Sequence, residues 1–479
     1  MTDITAEMRE ISAKYKDPIP LILGSHSALD ARSGARNYGF KSIIYTTKSR
    51  APIYLQNIIA GKPGEFIEEL PEVARRDVVV VEDARDIKKR GDWNLAILLL
   101  DRYDEVFKYI DDLRELEAIQ VPNRAFAVYL GGDSQCTKIE RDFKLPILGS
   151  RFLLKVENRG ELERDYYWYA EKAGIPTPKA YSFEVYSKGL RFKEPINDPL
   201  VLKAEHAKRS FERTFIFAAD SHDLEEKVER EIEAGNLTVE GLRTARVEQI
   251  VLGPHANFNF FYSPLSAAEE WGDVDDALAS IYEISLEDAR RCLANELLSI
   301  DERRESILDG VKRLPVEVQR KIEERMTPSF EVTFHAMISM RESLLKDVLK
   351  CANALLLTFA KYEPPGIIGA WCLQTLVTWD RASKYGYTPT IKLDYTTSME
   401  PKKPEDYGLY DAEAAEDIYL HIPVTQDVAL RHGGGTNVHM AIGGQYANAK
   451  YQRTMSMGDR IALELRRALK KGKLNWIVT

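Results

Sequence analysis

Short β-rich runs alternate with helical stretches from the start of the chain, and that alternation leaves few folds open. Pro18–Gly24 (PIPLILG) reads as a strand and 27–38 as a helix, while Ser42–Thr46 (SIIYT) and Asp77–Val81 (DVVVV) read as further strands. Over 104–118, Val106, Ile110, Leu113 and Leu116 recur at three- and four-residue steps, the spacing of an amphipathic helix. Strands separated by helices pair in parallel and are covered on both faces, so this stretch predicts an α/β domain over residues 1–149.

At 479 residues the chain exceeds what one hydrophobic core organises. A helix over 161–174, closed by Gly174 with Pro176 beyond it, opens a smaller α+β lobe. Extended runs at 180–185, 199–203 and 214–218 and a helix near 224–234 fill that lobe, residues 150–245. The remainder, 246–479, carries strands near 246–251, 258–262, 367–378 and 418–421 and helices over 342–362 and 458–470. Two stretches read as insertions: 267–296, acidic and helical in pattern, and 384–417, rich in Pro, Tyr and charge.

Composition narrows the partners. A net charge of −9 argues against a general nucleic-acid binder, which needs excess Lys and Arg to displace phosphate counterions. No apolar run approaches the roughly 20 residues that cross a bilayer, and Met1–Lys14 lacks the apolar centre of a signal peptide. Cys136, Cys292, Cys351 and Cys372 are scattered without C-x-x-C spacing, which fits a reducing cytoplasm.

Candidate chemistry sits at a few places. Gly24-Ser25-His26-Ser27 follows the first strand and opens a helix, where backbone N–H groups and small polar side chains suit a phosphate; helix capping accounts for the serines equally well. Lys203 ends an apolar strand ahead of Ala207-Lys208-Arg209-Ser210, and Lys155 is a second cation that would reach the same nucleotide from another strand. Glu248, in the alternating run 246–253, is placed to accept from a ribose hydroxyl or to be an ordinary strand acid. His255, Asn257 and Asn259 fall on one face of a strand, with Ala256 and Phe258 on the other. Asp427, Arg431 and the loop Gly433–Asn437 form a last group, suited to Mg²⁺ and an anion nest or to a flexible turn. The dinucleotide fingerprint, the P-loop and zinc spacing are all missing.

In order along the chain, GSHSALDARSGARNYGF (24–40), LPILGSRFLLKVENRGELERD (145–165), GPHANFNFFYSPL (253–265), IDERRESILDGVKRLP (300–315), RESLL (341–345), GAWCLQT (369–375) and Gly435-Thr436-Asn437 resemble the archaeal formate-dependent formaminoimidazole-carboxamide ribonucleotide synthetases, the PurP family of ATP-grasp enzymes. The resemblance implies an amino-terminal Rossmann-like α/β domain followed by two α+β lobes that clasp ATP. It also implies a cytoplasmic homo-oligomer that uses Mg²⁺, phosphorylates formate and formylates aminoimidazole-carboxamide ribonucleotide (AICAR). By this likeness His26, Ser27, Arg124 and His335 would bind substrate. Lys155, Lys203, Lys208, Glu248 and Glu305 would hold ATP, Lys203 and Arg431 would act in catalysis, and Gln374 and Asp427 would hold the metal.

Departures from the family pattern fall on those same positions. An HGS substrate motif is Asn123-Arg124-Ala125 here, and a Gly-Gly pair after the ATP lysines is Arg209-Ser210. A metal Glu is Gln374, its companion Glu is Asp427, and an AICAR-binding Asn is His335. These changes keep two alternatives open: a ligase of the same fold with another substrate, and a non-catalytic binding or regulatory paralogue.

Overall fold

The structure, a computed structural model, describes residues 3–25, 27–57, 78–133, 135–158, 162–205, 213–323, 325, 332–379, 421–433, 450–453 and 455–479. His26, Lys208, the loop beyond Gly433 and the 384–417 insertion lie outside the described residues.

Strands β1 (Ile19–Leu23), β2 (Ser42–Thr47), β3 (Val78–Val81), β4 (Leu95–Leu100) and β5 (Ala118–Val121) form one parallel sheet in the order β3-β4-β2-β1-β5. β1, β2, β4 and β5 are apolar runs buried on both faces, as helix-covered parallel strands must be. The expected strands at 18–24, 42–46 and 77–81 are all present, and Leu95–Leu100 adds the β4 strand between β3 and β2. The amphipathic stretch from 104 is a 3₁₀ turn, Tyr103–Tyr109, running into a short helix, Ile110–Glu115. Sheet order reverses at β1, which has β2 on one side and β5 on the other. Ligands of open α/β sheets bind outside the carboxyl ends of the strands at such a switch point. Here those ends are Gly24–Ser27 after β1 and Pro122–Arg124 after β5.

A smaller antiparallel sheet contains β6 (Ala180–Tyr181), β9 (Leu200–Glu205), β10 (Arg213–Ala218) and β11 (Arg246–Gln249) in the order β10-β9-β11-β6, with a separate hairpin of β7 (Glu184–Tyr186) and β8 (Gly189–Arg191). The Ser221–Glu233 helix packs its Leu224 and Val228 into the core of this lobe. The Tyr166–Ala173 helix that precedes it ends at Gly174 in the left-handed region (φ 65°), the cap expected there.

A third, fully antiparallel sheet runs β14 (Val332–Met337), β13 (Asn295–Glu305), β12 (His255–Tyr262), β15 (Gly369–Trp379) and β16 (His421–Ala429). One face is apolar: Phe258, Ile300, Leu373 and Val428 pack with Val348, Leu355 and Phe359 of the long Glu342–Tyr362 helix. The opposite face is polar. The 267–296 stretch is helical as its pattern indicates, in Asp273–Tyr282 and Leu286–Leu293.

The chain then returns to its beginning. The Met457–Lys470 helix lies on the Ala28–Asn37 helix so closely that a Cβ on Gly34 would sit 2.0 Å from the Gly458 carbonyl carbon, and one on Gly458 2.1 Å from the Asp30 carbonyl oxygen. Met457, Ile461, Leu465 and Val478 complete the core over Ile22, Ile44 and Ile119. Arg460, fully buried beside the Phe261 ring, donates to both oxygens of Glu296 (2.9 and 3.0 Å) and to Glu464 (3.0 Å), binding this helix to β13.

Burial alone would push the Glu296 carboxyl up, but the charges of Arg460 and Lys450 and hydrogen bonds from Arg460 and Tyr451 outweigh it and hold it at about 2. A carboxyl depressed by folding stabilises the protein above its ordinary pKa and loses that contribution as pH falls toward the folded value. Glu296 therefore contributes about 3 kcal/mol near neutrality that disappears between about pH 4.5 and 2, at ~1.4 kcal/mol per pH unit. Glu296→Gln should lower the melting temperature at pH 7 and flatten its decline below pH 4.5, as followed by calorimetry.

Candidate active site

The polar face of the third sheet follows from its register. Asp301 on β13, Asn257 on β12, Gln374 on β15 and Asp427 on β16 stand opposite one another across four strands. Residues directly opposite in a ladder share a face, so these four side chains form one row. Asp301 is 1 % exposed, and its carboxylate accepts from Asn257 Nδ2 (2.8 Å), Asn259 Nδ2 (2.7 Å) and the His335 ring at Nδ1 (2.6 Å). Burial works to raise this carboxyl, but the His335 bond, backed by Asn259 and Asn257, holds it below the ordinary range. His255 and Glu305 pair at 3.4 Å near this row, and Glu305 stays below its usual range because the His255 bond outweighs its burial. The alternation read at His255, Asn257 and Asn259 thus holds, with Ala256 and Phe258 in the core behind them.

Gln374 and Asp427 meet as expected for a pair, in direct register. The Gln374 carbonyl accepts a hydrogen bond from Arg303, which also donates to Asn257 Oδ1 at 3.2 Å. Asp427 Oδ1 accepts from the Val428 N–H at 2.9 Å.

At the switch point of the first sheet, Glu157 accepts from Arg124 and Arg431, both at 3.1 Å, and from the Leu430 N–H at 3.3 Å. Two guanidiniums from segments far apart in sequence therefore share one carboxylate. Arg431 and His432 also line a small hollow of about 10 Å³ with Pro122, Gly149 and Ile368, and among the described residues the buried Arg431 Nε has no hydrogen-bond partner. Ser27 takes the N-cap position of its helix, but its hydroxyl donates to the Gly433 carbonyl (2.8 Å) instead of capping. Asn123 caps the Arg124–Leu130 helix and donates to the Leu23 carbonyl (3.0 Å), which joins β5 to the end of β1.

In the small lobe, Lys203 and Arg246 are opposite each other on β9 and β11. Lys203 donates to Glu248 at 2.5 Å, and Arg246 donates to the other Glu248 oxygen at 2.6 Å while stacking on Tyr167 at 3.5 Å. Glu248 is fully buried, and both its oxygens are given to these cations, so it is closed to a ribose hydroxyl. Burial raises its carboxyl, yet Lys203 and Arg246 outweigh that and keep it ionised below the usual range.

Lys155 departs from its reading. It lies in a 3₁₀ turn, Arg151–Glu157, and not on a strand, and its ammonium pairs with Glu140 at 2.9 Å. The turn directs Glu157 toward the two arginines and Lys155 toward the Thr137–Arg141 helix. Glu157, Asp301, Arg303 and Arg246 were absent from the sequence reading. Glu157 follows Lys155 by two residues and carries no motif, and Asp301 and Arg303 lie in a run of five charged residues, 301–305, that shows no alternation.

With this geometry in view, comparison with known proteins is informative. The family described as "Domain of unknown function (DUF1297)" matches residues 223–413 and 395–479, and "Protein of unknown function (DUF1246)" matches 21–181. The chain belongs to the DUF1297 family. It is 28 % identical over 475 residues to the 5-formaminoimidazole-4-carboxamide-1-(β)-D-ribofuranosyl 5′-monophosphate synthetase of Methanopyrus kandleri, covering 99 % of both chains. The synthetase of the same name from Methanocaldococcus jannaschii is 27 % identical, again over 99 % of both. Among solved structures, the IMP biosynthesis protein PurP from Thermococcus kodakaraensis matches with a TM-score of 0.53 at 21 % identity, over 96 % of this chain and 100 % of that one. The likeness seen in scattered motifs thus runs the length of the chain, and the fold of this DUF1297 member is ATP-grasp.

Because Glu248 is wholly buried, removing one of its cations leaves charge poorly compensated, a loss of about 3 kcal/mol at the low end for a broken buried pair, since Arg246 remains. Lys203→Met should lower stability by that amount in urea titration, and adding Glu248→Gln should recover part of it.

Proposed function

We propose that the chain is an ATP-dependent carbon–nitrogen ligase of IMP biosynthesis that joins formate to the amine of AICAR by way of formyl phosphate. The observation that supports this reading is the set of fixed charges on its three parts: Lys203 on the small lobe, the polar row of the third sheet, and the Arg124–Glu157–Arg431 cluster at the switch point of the first. Cys372, buried on β15, feels the charges of Asp301, Arg303, Arg431 and Asp427 together, so row and cluster adjoin. His255 feels Lys203, which links the row to the small lobe.

Formate is a poor acyl donor because hydroxide leaves badly. Attack of its oxygen on the γ-phosphorus releases ADP and gives formyl phosphate, from which the amine displaces phosphate. Phosphoryl transfer needs positioning and charge stabilisation more than covalent chemistry. Lys203 is the cation for the phosphates, drawn from Glu248 when they bind. Arg124 and Arg431, which together exceed the charge of Glu157, hold anionic groups of formate and of the acceptor phosphate, and Ser27 borders the acceptor at the strand end. We divide the chain at 149 and 245, so that the cleft lies where the three parts meet.

Magnesium belongs to the same proposal. Among the described residues no three His, Cys, Asp or Glu side chains stand together to hold an ion. Asp427 offers one carboxylate, and the Gln374 carbonyl is engaged by Arg303. That donor set fits an ion that arrives on nucleotide phosphates and keeps several waters, with one or two protein oxygens. When bound, the ion would neutralise phosphoryl oxygens, with Asp427 as its principal protein ligand. Self-association and a cytoplasmic setting are part of the same reading; among the described residues no helix is long and apolar enough to cross a membrane.

The test is ADP release with ATP and Mg²⁺, with formate and AICAR omitted singly and products read by mass spectrometry. Release should require both substrates and yield formylated AICAR, and Lys203→Met should lower kcat by about 10²–10³-fold, the scale of one lost charge-stabilising donor. Release with another donor or acceptor alone would identify a different substrate, and none at all from folded protein would identify a non-catalytic paralogue. Asp427→Asn should raise the Mg²⁺ concentration for half-maximal rate about tenfold, a cost of ~1.4 kcal/mol, while Gln374→Ala should shift it much less.

A further inference from the structure

A cavity of about 460 Å³ shares none of its lining with the candidate active site. Three segments wall it: the amino-terminal helix Asp3–Ser12 with Ile4 and Glu7, the stretch 140–144 with Glu140, Arg141 and Lys144, and the Arg151–Glu157 turn with Phe152. Small-molecule sites have volumes of about 300–1,000 Å³. Fixed contacts join two of these walls. Buried Arg151 donates to the carbonyls of Ile139, Phe143, Leu145 and Thr479 (2.6, 2.7, 2.8 and 3.1 Å), and Lys155 pairs with Glu140 at 2.9 Å. Two charges on the walls remain unspent: among the described residues neither the Lys144 ammonium nor the Glu7 carboxylate has a hydrogen bond or ion pair. Arg141 gives Nε and one Nη to Asp142 (3.0 and 3.2 Å) and keeps its other Nη. Ile4 and the Phe152 ring supply half-buried apolar surface.

Such walls suit a ligand with an anionic end for the cations, N–H donors for a carboxylate that can only accept, and a flat body for the aromatic face. A purine nucleoside monophosphate has all three. An amino acid would match the two free charges but leave much of the cavity empty. We propose that this cavity is a second nucleotide site, with the phosphate on Lys144 and the free Nη of Arg141, the base on Phe152 and its N–H edge on Glu7. The site stands without the ligase reading, and its effect on the reaction rests on that reading. Phe152 and Glu157 belong to one seven-residue turn, so a ligand seated on Phe152 touches the turn that holds Arg124 and Arg431.

Equilibrium dialysis with GMP, whose base offers a carboxylate both a ring N–H and an amine, tests the site while ATP and AICAR occupy the candidate active site. The protein should bind one GMP per chain. Lys144→Glu, at an exposed position, should keep the melting temperature and ATP binding while weakening GMP at least about tenfold, the scale of a lost charged hydrogen bond. Phe152→Ala should weaken GMP by about tenfold, the scale of one stacked base. Glu7→Gln should weaken GMP more than AMP, whose base offers only the amine. No bound GMP, or binding indifferent to Lys144→Glu, would overturn the site. Inorganic phosphate that displaces GMP at equal concentration would mark a plain anion site and overturn the nucleotide assignment. With formate added, GMP should change the rate of ADP release by about fivefold or more in the wild type and not in Lys144→Glu. An equal response in both, or none in the wild type, would overturn the link through the turn. Binding of GMP that needs Lys144, in protein that releases no ADP, would keep the site and remove the ligase reading alone.

Discussion

The Asp30 carboxylate joins the two ends of the chain, and the placement of the candidate site depends on that junction. It is buried on the Ala28–Asn37 helix and meets both His432 Nε2 (2.9 Å) and the Gly458 N–H (2.8 Å). Burial would raise its carboxyl, but the His432 bond and the Gly458 N–H outweigh this and keep it below the ordinary range. His432 in turn bridges to Asn123 beside β5 and immediately follows Arg431. The outer strand of the third sheet, the closing helix and the carboxyl edge of the first sheet are thereby tied to one anion. Arg431 and Arg124, from distant parts of the chain, meet at Glu157, and the backbone bridge of His432 to Asn123 holds their two segments side by side.

Several buried carboxylates in this molecule are paired with more than one partner. Glu248 has two cations, Glu157 has two guanidiniums, and Glu296 has Arg460, Lys450 and a tyrosine. A buried ion with a single partner recovers its desolvation poorly, whereas one with several is satisfied when a partner moves. Glu248 therefore keeps Arg246 as a partner even where Lys203 is removed. The departures at Gln374 and His335 fit the same pattern: Gln374 gives its oxygen to Arg303, and His335 is held by Asp301.

Much of the fold was legible because its signals are local. The Pro18–Gly24 run, the 342–362 periodicity and the Gly174 cap each depend on neighbours within a few residues, and each stands in the structure close to where it was read. β13 and β14 were not legible, for a physical reason. Asn295–Glu305 (NELLSIDERRE) ends in five consecutive charged residues, Asp301–Glu305, that put charge on both faces, so this end resembles a solvated helix. The site itself was half legible. Ser27, Arg124 and Arg431 stand just beyond strand ends, where sequence pattern marks them. Glu157 and Asp301 act only through partners tens to hundreds of residues away, which no local pattern encodes.

The seating of the Met457–Lys470 helix on the first domain has a consequence for synthesis. The core around Ile22, Ile44 and Ile119 lacks Ile461, Leu465 and Val478 until almost the whole chain has been made. At ~5–20 residues per second a ribosome needs on the order of tens of seconds to travel from β5 to that helix. During this interval that face of the parallel sheet has only the early-made part of its cover, such as Ala28, Ala31 and Ala35 of the Ala28–Asn37 helix. The domain that is made first is thus the last to be finished.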